Sequence, residues 1–384
     1  MNHAPMNDPA VSAAASELDG ELKLLAQTCA ALFGGHGAEQ TVPWDQRLWG
    51  DLEQAGLPLI SVPEAAGGSG GSLEQAAVVV SLAGEYAASV PLAETALLGG
   101  WLLAEAGLPV PAGPLVAVRA PGAPAAGDPA FGVAQAPGGW SVRGRLPRVG
   151  WGRVAQRVVV LAATAGDAGR GGRAREVAIA LSPGDVAVEP GSNLAGEPRD
   201  DLTVDTVVER DAVAMVADGT GEALRLRAAL ARVLLTAGAL RRALGLTIRY
   251  AGERQQFGRS LSNFQAIQHQ ITELAAETAV VRAAADAAVR RCADDGFADP
   301  RARVAVASAK VQAARASTVG ARIAHQVHGA IGFTDEHSLR LVTTRLWSWR
   351  DEAGSQADWA AELGRHVLDG RGGQLWNTLT EDDG

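Results

Sequence analysis

Apolar residues recur in steps of three and four towards both ends of the chain and in steps of two through its middle. Leu22, Leu25 and Cys29 share one helical face, and the run SLEQAAVVVSLAGEYAA keeps the same period. Gly and Pro cut this first zone at PEAAGGSGGS and GLPVPAGP. From about residue 113 the period changes. LVAVRA, GWSVRGRL, RVVVLAAT, EVAIALSP and LTVDTVVE are short, rich in β-branched residues and parted by Gly, Pro and Asp, which predicts strands. AGDAGRGGRARE between two of them reads as an exposed hairpin loop. The helical period returns near residue 218. Phe264, Ile267, Ile271, Leu274, Thr278 and Val281 make one stripe, and Val304, Ala307, Val311 and Ala314 make the next. Gly296 and Pro300 in DDGFADP mark the end of one helix and the start of another. Alanine on these faces allows close helix packing, as in a four-helix bundle. The expected class is α+β: a leader over 1–14, an all-α domain over 15–112, a β-sheet or barrel domain over 113–217, and a helical bundle over 218–384.

Composition narrows the chemistry. The 384 residues are 47% hydrophobic, enough for more than one core. A net charge of −9 argues against a nucleic-acid or anionic-membrane surface, so a phosphate site must be a local cluster of Arg and backbone N–H groups. Two cysteines, Cys29 and Cys292, offer no disulfide framework and no metal spacing, which suits a reducing cytosol. No apolar run approaches the roughly 20 residues of a membrane span. The N-terminus lacks a basic segment followed by an apolar one, so a soluble, cytoplasmic protein is expected. His325, His328 and His337 lack metal spacing and read as structural, and GGSGG at 67–71 reads as a turn.

The most informative phrase is YAGERQQFG at 250–258, where a helix ends by presenting Glu253, Arg254, two glutamines and Phe257 beside a glycine turn. Such a constellation can hold an anion and a flat ring. Taken alone, Arg254 could equally pair with Glu253 or Glu273. The longer phrase YAGERQQFGRSLSNFQAIQHQ, the turn QVHGAIGFTDEH and the earlier LWGDLEQAGLPLISVPEAAGGSGGSLEQ occur in order and in matching zones. Together they resemble the acyl-CoA dehydrogenase family over nearly the whole chain.

That resemblance implies FAD bound across a subunit interface. Arg254 would grip its pyrophosphate, Phe257 would pack on the flavin or its linker, Gln265 would donate amide hydrogen bonds nearby, and Gln326 with the backbone at Gly329 would meet the diphosphate. It also implies α,β-dehydrogenation of an acyl-CoA: a carboxylate base takes the α-proton while the β-hydrogen leaves as hydride to flavin N5. RDEAGSQ stands where the family carries that base, so Glu352 is the candidate. Gln356 falls where a flavin-contacting glutamine lies, and Trp347, Trp349 and Trp359 are expected as apolar walls. An exposed loop carboxylate beside Asp351 is the competing reading. Arg232, inside the apolar stretch ALARVLLTAG, is expected near the acyl pocket or the base, either in substrate binding or in a structural pair.

The β domain departs from the family. LVAVRAPGAPAAGDPAFG lacks the usual flavin-binding phrase, and RVGW at 148–151 places Arg148 where an aromatic is expected, with Trp151 shifted. The ring-binding half looks degraded while the half that grips a neighbour's FAD looks intact. The ending RLWSWRDEAGSQADWAAELG resembles a bacterial subset acting on sterol side-chain CoA thioesters, which implies a role in lipid and steroid catabolism. The chain is then either a homotetrameric dehydrogenase or one subunit of an α2β2 heterotetramer that completes a partner's FAD site. Electron-transfer flavoprotein is the implied acceptor.

Overall fold

The computed structural model describes residues 9–36, 43–122, 131–164 and 175–369. The N-terminal domain comprises α1 (Pro9–Gly35), α2 (Gln46–Gln54), α3 (Leu73–Glu85), and a π-helical turn, Glu94–Gly99, that runs into α4 (Gly100–Glu105). Helix α1 begins at Pro9, within the segment expected as a leader. Ser72 opens α3 with a capping box: its hydroxyl accepts from Gln75 N–H while the Gln75 side chain accepts from Ser72 N–H.

Two four-stranded sheets form the β domain. Strands β1 (Leu115–Arg119), β2 (Gly132–Ala136), β3 (Gly139–Gly150), β4 (Arg157–Ala163), β5 (Glu176–Leu181), β6 (Val186–Glu189), β7 (Arg199–Glu209) and β8 (Val213–Met215) sort into the orders β1-β4-β5-β8 and β2-β3-β7-β6. The β4 run RVVVLAA is buried on both faces. Val158 and Val160 pack towards the second sheet, whereas Val159 and Leu161 join the helical core. That double burial is why β4 reads as an unbroken apolar run instead of alternating. The loop expected over 165–176 lies almost wholly outside the described residues.

The C-terminal part comprises α5 (Thr220–Glu253), α6 (Gln265–Asp295), α7 (Pro300–His328), α8 (Leu339–Asp351) and α9 (Gln356–Asp369). Helices α5 to α8 pack as a bundle, and α9 lies on α7. Gly296, at φ +77°, ends α6, and the Asp299 carboxylate caps α7 with Pro300 in its first turn. Two glycines join this bundle to the N-terminal domain. A Cβ on Gly238 of α5 would sit 1.8 Å from the Ser81 carbonyl oxygen, and one on Gly84 of α3 would sit 2.1 Å from the Leu235 oxygen. The α3 and α5 backbones therefore touch, and no larger residue fits at the crossing.

A candidate cleft and a candidate cofactor-binding bundle end

Glu352 lies just past α8, where Ala353 (φ +56°) and Gly354 (φ +95°) turn the chain sharply into α9. Trp359 clamps that turn by donating its indole N–H to the Ala353 carbonyl at 2.9 Å. The carboxylate is thereby held at the floor of a cleft of about 770 Å³ between the β domain and the bundle. Val116, Val118, Val149, Leu98, Leu224 and Ala228 are among its apolar wall residues.

The surroundings of Glu352 are cationic. Arg199, the first residue of β7 and 5% exposed, donates through Nε to Oε1 and through Nη2 to Oε2, both at 2.8 Å. Arg232 of α5 reaches Oε2 through Nε at 2.8 Å and donates through Nη2 to Glu94 at 2.7 Å. Asn193 adds an amide N–H to Oε1 at 3.1 Å. Arg199 also meets Glu197 at 3.1 Å, and Glu197 accepts from Arg345 at 3.1 Å and from the Trp349 indole at 2.9 Å. The result is a buried chain of alternating charge, Glu94–Arg232–Glu352–Arg199–Glu197–Arg345, drawn from all three domains. Burial pushes the Glu352 carboxyl up, but the Arg232 and Arg199 guanidiniums outweigh it and hold its pKa down at about 2. In the same way burial works against ionisation of Glu197, and Arg345 and Arg199 keep it charged, below the usual carboxylate range.

This corrects the expected apolar surroundings. Among the described residues, none of the three tryptophans lines the cleft: Trp347 stacks on His325, Trp349 serves Glu197, and Trp359 lies under the Ala353 turn. Arg232, expected near the acyl pocket or the base, lies against Glu352 and Glu94. Gln356 is exposed in the first turn of α9, away from the cleft lining. Trp151 is 2% exposed and turned edge-on to Trp44, while Arg148 lines the cleft.

The other expected residues gather at one end of the bundle. Tyr250 of α5 stacks on His328 of α7 with ring centroids 4.5 Å apart, which brings the Arg254 end of α5 beside Gly329. A two-stranded hairpin follows, β9 (Gln255–Gln256) with β10 (Arg259–Ser260). Its turn carries Phe257 at φ +52° and Gly258 at φ +78°, the backbone of a type I′ turn. Phe257 is 90% exposed, and Arg254, Gln265, Gln326 and Gly329 are exposed as well. Glu273 pairs with Arg322 at 3.4 Å, and among the described residues Arg254 has no ion pair. A free guanidinium beside an exposed ring and exposed amides suits a diphosphate joined to a planar group. His325 and His328 are buried, bonded to Thr343 and to the Ala324 carbonyl, which fits their structural reading.

Several residues in and behind the cleft escaped sequence reading. Glu94 is a lone carboxylate in the apolar run VPLAETALLGG, a signal that could have singled it out. Lys310, one of only two lysines in the chain, sits in the alanine stripe of α7 and is 1% exposed. Its ammonium caps the end of α8, donating to the carbonyls of Trp349 at 3.1 Å and Arg350 at 2.8 Å. Asn193, in a loop, and Arg199, which opens β7, stand in ordinary-looking sequence and carry no comparable mark.

The fold and the bundle sequence are shared with known proteins. Residues 218–351 match the family model of the acyl-CoA dehydrogenase C-terminal domain. The chain is 32% identical over 319 residues to acyl-CoA dehydrogenase FadE27 of Mycobacterium tuberculosis, covering 77% of this chain and 81% of that protein. It is 29% identical over 340 residues to acyl-CoA dehydrogenase IpdE2 of the same organism, covering 85% and 90%. Among solved structures, the ChsE4–ChsE5 complex of Mycobacterium tuberculosis shares the fold, with a TM-score of 0.75 at 22% identity over 96% of this chain and 99% of that one. With its helical, β and helical domains in order and its bundle matched by the family model, the chain belongs to the acyl-CoA dehydrogenase family.

Proposed function

We propose that this chain is one subunit of a FAD-dependent acyl-CoA dehydrogenase, in which its bundle end completes the cofactor site of a partner chain. One observation carries the reading: both oxygens of Glu352 are engaged by guanidiniums, and its pKa lies at about 2. A base that must take the α-proton of a thioester, a weak carbon acid, needs a far more basic carboxylate. The family's cofactor is FAD, which supplies the hydride acceptor of an α,β-dehydrogenation when bound. On this chain Arg254 would hold its diphosphate, Gln326 and the Gly329 backbone would donate beside it, Gln265 would add an amide, and Phe257 would cover the flavin or its linker. Gln356, outside the cleft, is given no contact with the flavin ring.

The assembly proposed is a heterotetramer with a second acyl-CoA dehydrogenase-like chain, acting on a sterol side-chain CoA thioester and passing electrons to electron-transfer flavoprotein. The ChsE4–ChsE5 complex is by its description a pairing of two chains, which supports a heteromer here. Among the described residues no helix is long and apolar enough to cross a membrane. The two cysteines are unpaired and buried, which suits a cytoplasmic location.

A second reading, a self-sufficient dehydrogenase with Glu352 as base, has in its favour that Glu352 lines the cleft. The visible spectrum separates the two. The subunit reading expects a colourless chain when expressed alone and a yellow complex, bleached by acyl-CoA, on co-expression with its partner. Yellow protein from the lone chain, bleached by acyl-CoA and inactivated by Glu352→Gln, would establish the second.

A further inference from the structure

Two buried histidines of α7, His325 and His328, alternate with Gln326 and Gly329, the residues assigned to the diphosphate. Their neighbours fix each ring in one tautomer. His328 Nδ1 lies 2.7 Å from the Ala324 carbonyl, which can only accept, so Nδ1 carries the proton. The Thr343 hydroxyl donates to the Leu339 carbonyl at 3.2 Å. It therefore accepts from His325 Nε2 at 2.9 Å, and that nitrogen carries the other proton. His328 Nε2 and His325 Nδ1 are left as bare lone pairs, buried and without a hydrogen-bond partner among the described residues.

The turn that follows α7, Gly329–Phe333, rests on these rings. Phe333 stacks on His325 with centroids 4.0 Å apart, and Trp347 of α8 stacks on it at 5.6 Å. A Cβ on Gly332 would sit 3.2 Å from His325 Nδ1 and 3.0 Å from the His328 Cβ, so the backbone of the turn lies directly against both residues. His328 stacks on Tyr250 of α5 and meets His337 edge-on at 4.7 Å. His337 in turn accepts the Leu339 N–H on Nδ1 at 3.1 Å. Of the charged groups on the surrounding elements, Asp335 pairs with Arg340 at 2.8 Å and Glu273 with Arg322 at 3.4 Å. Arg249, Glu253, Arg254 and Glu336 are exposed.

We propose that His325 and His328 are positioning residues for the diphosphate site and form an acid-sensitive latch, whose neutral rings hold the Gly329–Phe333 turn and whose protonation frees the turn and the FAD. The inference rests on the cofactor role of the bundle end. A proton added at either bare nitrogen creates an N–H without an acceptor and a charge among stacked rings. Burial holds both imidazoles below their ordinary 6.5. His328 is brought down to about 4, chiefly by burial, with the bond to Ala324 opposing and His337 and His325 adding to the fall. Burial lowers His337 as well. The opened turn takes up protons that the closed one refuses, so closure weakens as pH falls from 6.5 towards 4.

The test is the dissociation constant of FAD from the flavin-bearing complex at pH 7 and at pH 5, read by flavin fluorescence. The latch expects that constant to rise about tenfold or more over the step. His325→Gln keeps a donor in the place of Nε2 and His328→Asn keeps one in the place of Nδ1, yet neither amide can take the second proton. Whatever its affinity at pH 7, the double variant should lose most of the step. In the full chain alone, nitrogen-15 NMR should show His328 as the Nδ1–H tautomer and His325 as the Nε2–H tautomer, with His328 titrating at about 4. The inference is overturned if the parent shows no step, if the double variant keeps the whole of it, or if His328 titrates at its ordinary value. Where the variant holds too little flavin to measure, the NMR titration of the parent decides. Failure of the bundle-end reading shows separately, as an Arg254→Ala complex that keeps its flavin at pH 7.

Discussion

Arg199 grips Glu352 with a parallel pair of hydrogen bonds, Nε to Oε1 and Nη2 to Oε2, each 2.8 Å long. The two residues lie 153 positions apart, and their pairing fastens the start of β7 to the turn between α8 and α9. The Glu352 pKa of about 2 is below its ordinary 4.5, so the pairing stabilises the fold fully above about pH 4.5. That contribution fades as pH falls from 4.5 towards 2. Glu352→Gln should cost on the order of 3 kcal/mol in urea unfolding at neutral pH and flatten the acid limb of stability against pH. Under the subunit reading, turnover of the co-purified complex is unchanged by the substitution. A total loss of turnover in a folded complex would instead make Glu352 the base.

Lys310 predicts an alkaline effect of the same sign against pH. Burial, with a smaller push from Arg232, lowers its pKa from 10.5 to about 8. Between those values the unfolded chain binds the extra proton, so the contribution of Lys310 to stability grows with rising pH. Burial raises Cys29 to about 11 and Cys292 to about 12, from 9.0, which works against stability above pH 9. The difference between the parent chain and Lys310→Met cancels the thiols. That difference should move in favour of the parent by about 1 kcal/mol per pH unit from 8 to 10 in guanidinium unfolding. A pH-independent difference would mean that the ammonium is not desolvated.

Legibility followed the range of the interactions. The α6–α7 boundary was readable because Gly296 and Pro300 act on their own backbone. Strands β1, β3, β4, β5 and β7 were readable because their apolar runs are intrinsic. The short strands β6 and β8 exist through pairing with β7 and β5, and their own sequence carries little signal. The site divided the same way. The bundle end is encoded in one continuous phrase, YAGERQQFG, with a second at QVHGAIGF. The ion chain joins residues 94, 197, 199, 232, 345 and 352, which only the tertiary fold brings together. A glutamate beside an aspartate gives no local hint that two distant arginines will neutralise it.

The α3–α5 crossing yields a pair of predictions with opposite signs. Gly238→Ala would drive a methyl group into the Ser81 carbonyl and the Glu85 N–H, both backbone groups that cannot rotate away. It should destabilise by about 3 kcal/mol, at the upper end of overpacking costs. Gly245 lies on the same helix with nothing near an added Cβ. Gly245→Ala should stabilise by up to about 1 kcal/mol through helix propensity alone. Equal effects at the two positions in thermal unfolding would show that the helices do not touch at Gly238.

Arg254 separates cofactor binding from folding. Its guanidinium is exposed and has no ion pair among the described residues, so its loss removes no internal contact of that kind. Arg254→Ala should leave the melting temperature of the lone chain within about a degree, as for ordinary surface changes. In the co-expressed complex the proposed diphosphate role expects the same substitution to remove charge-assisted bonds worth about 1.5–3 kcal/mol each, roughly ten- to a hundredfold in FAD affinity. The ratio of flavin to protein absorbance after gel filtration reads this directly. Arg254→Lys should recover only part of it, because a single ammonium cannot reproduce the two-pronged geometry of the guanidinium. Full flavin content in the Arg254→Ala complex would remove the diphosphate role from this end of the bundle. The exposed Phe257 at positive φ would then need another explanation.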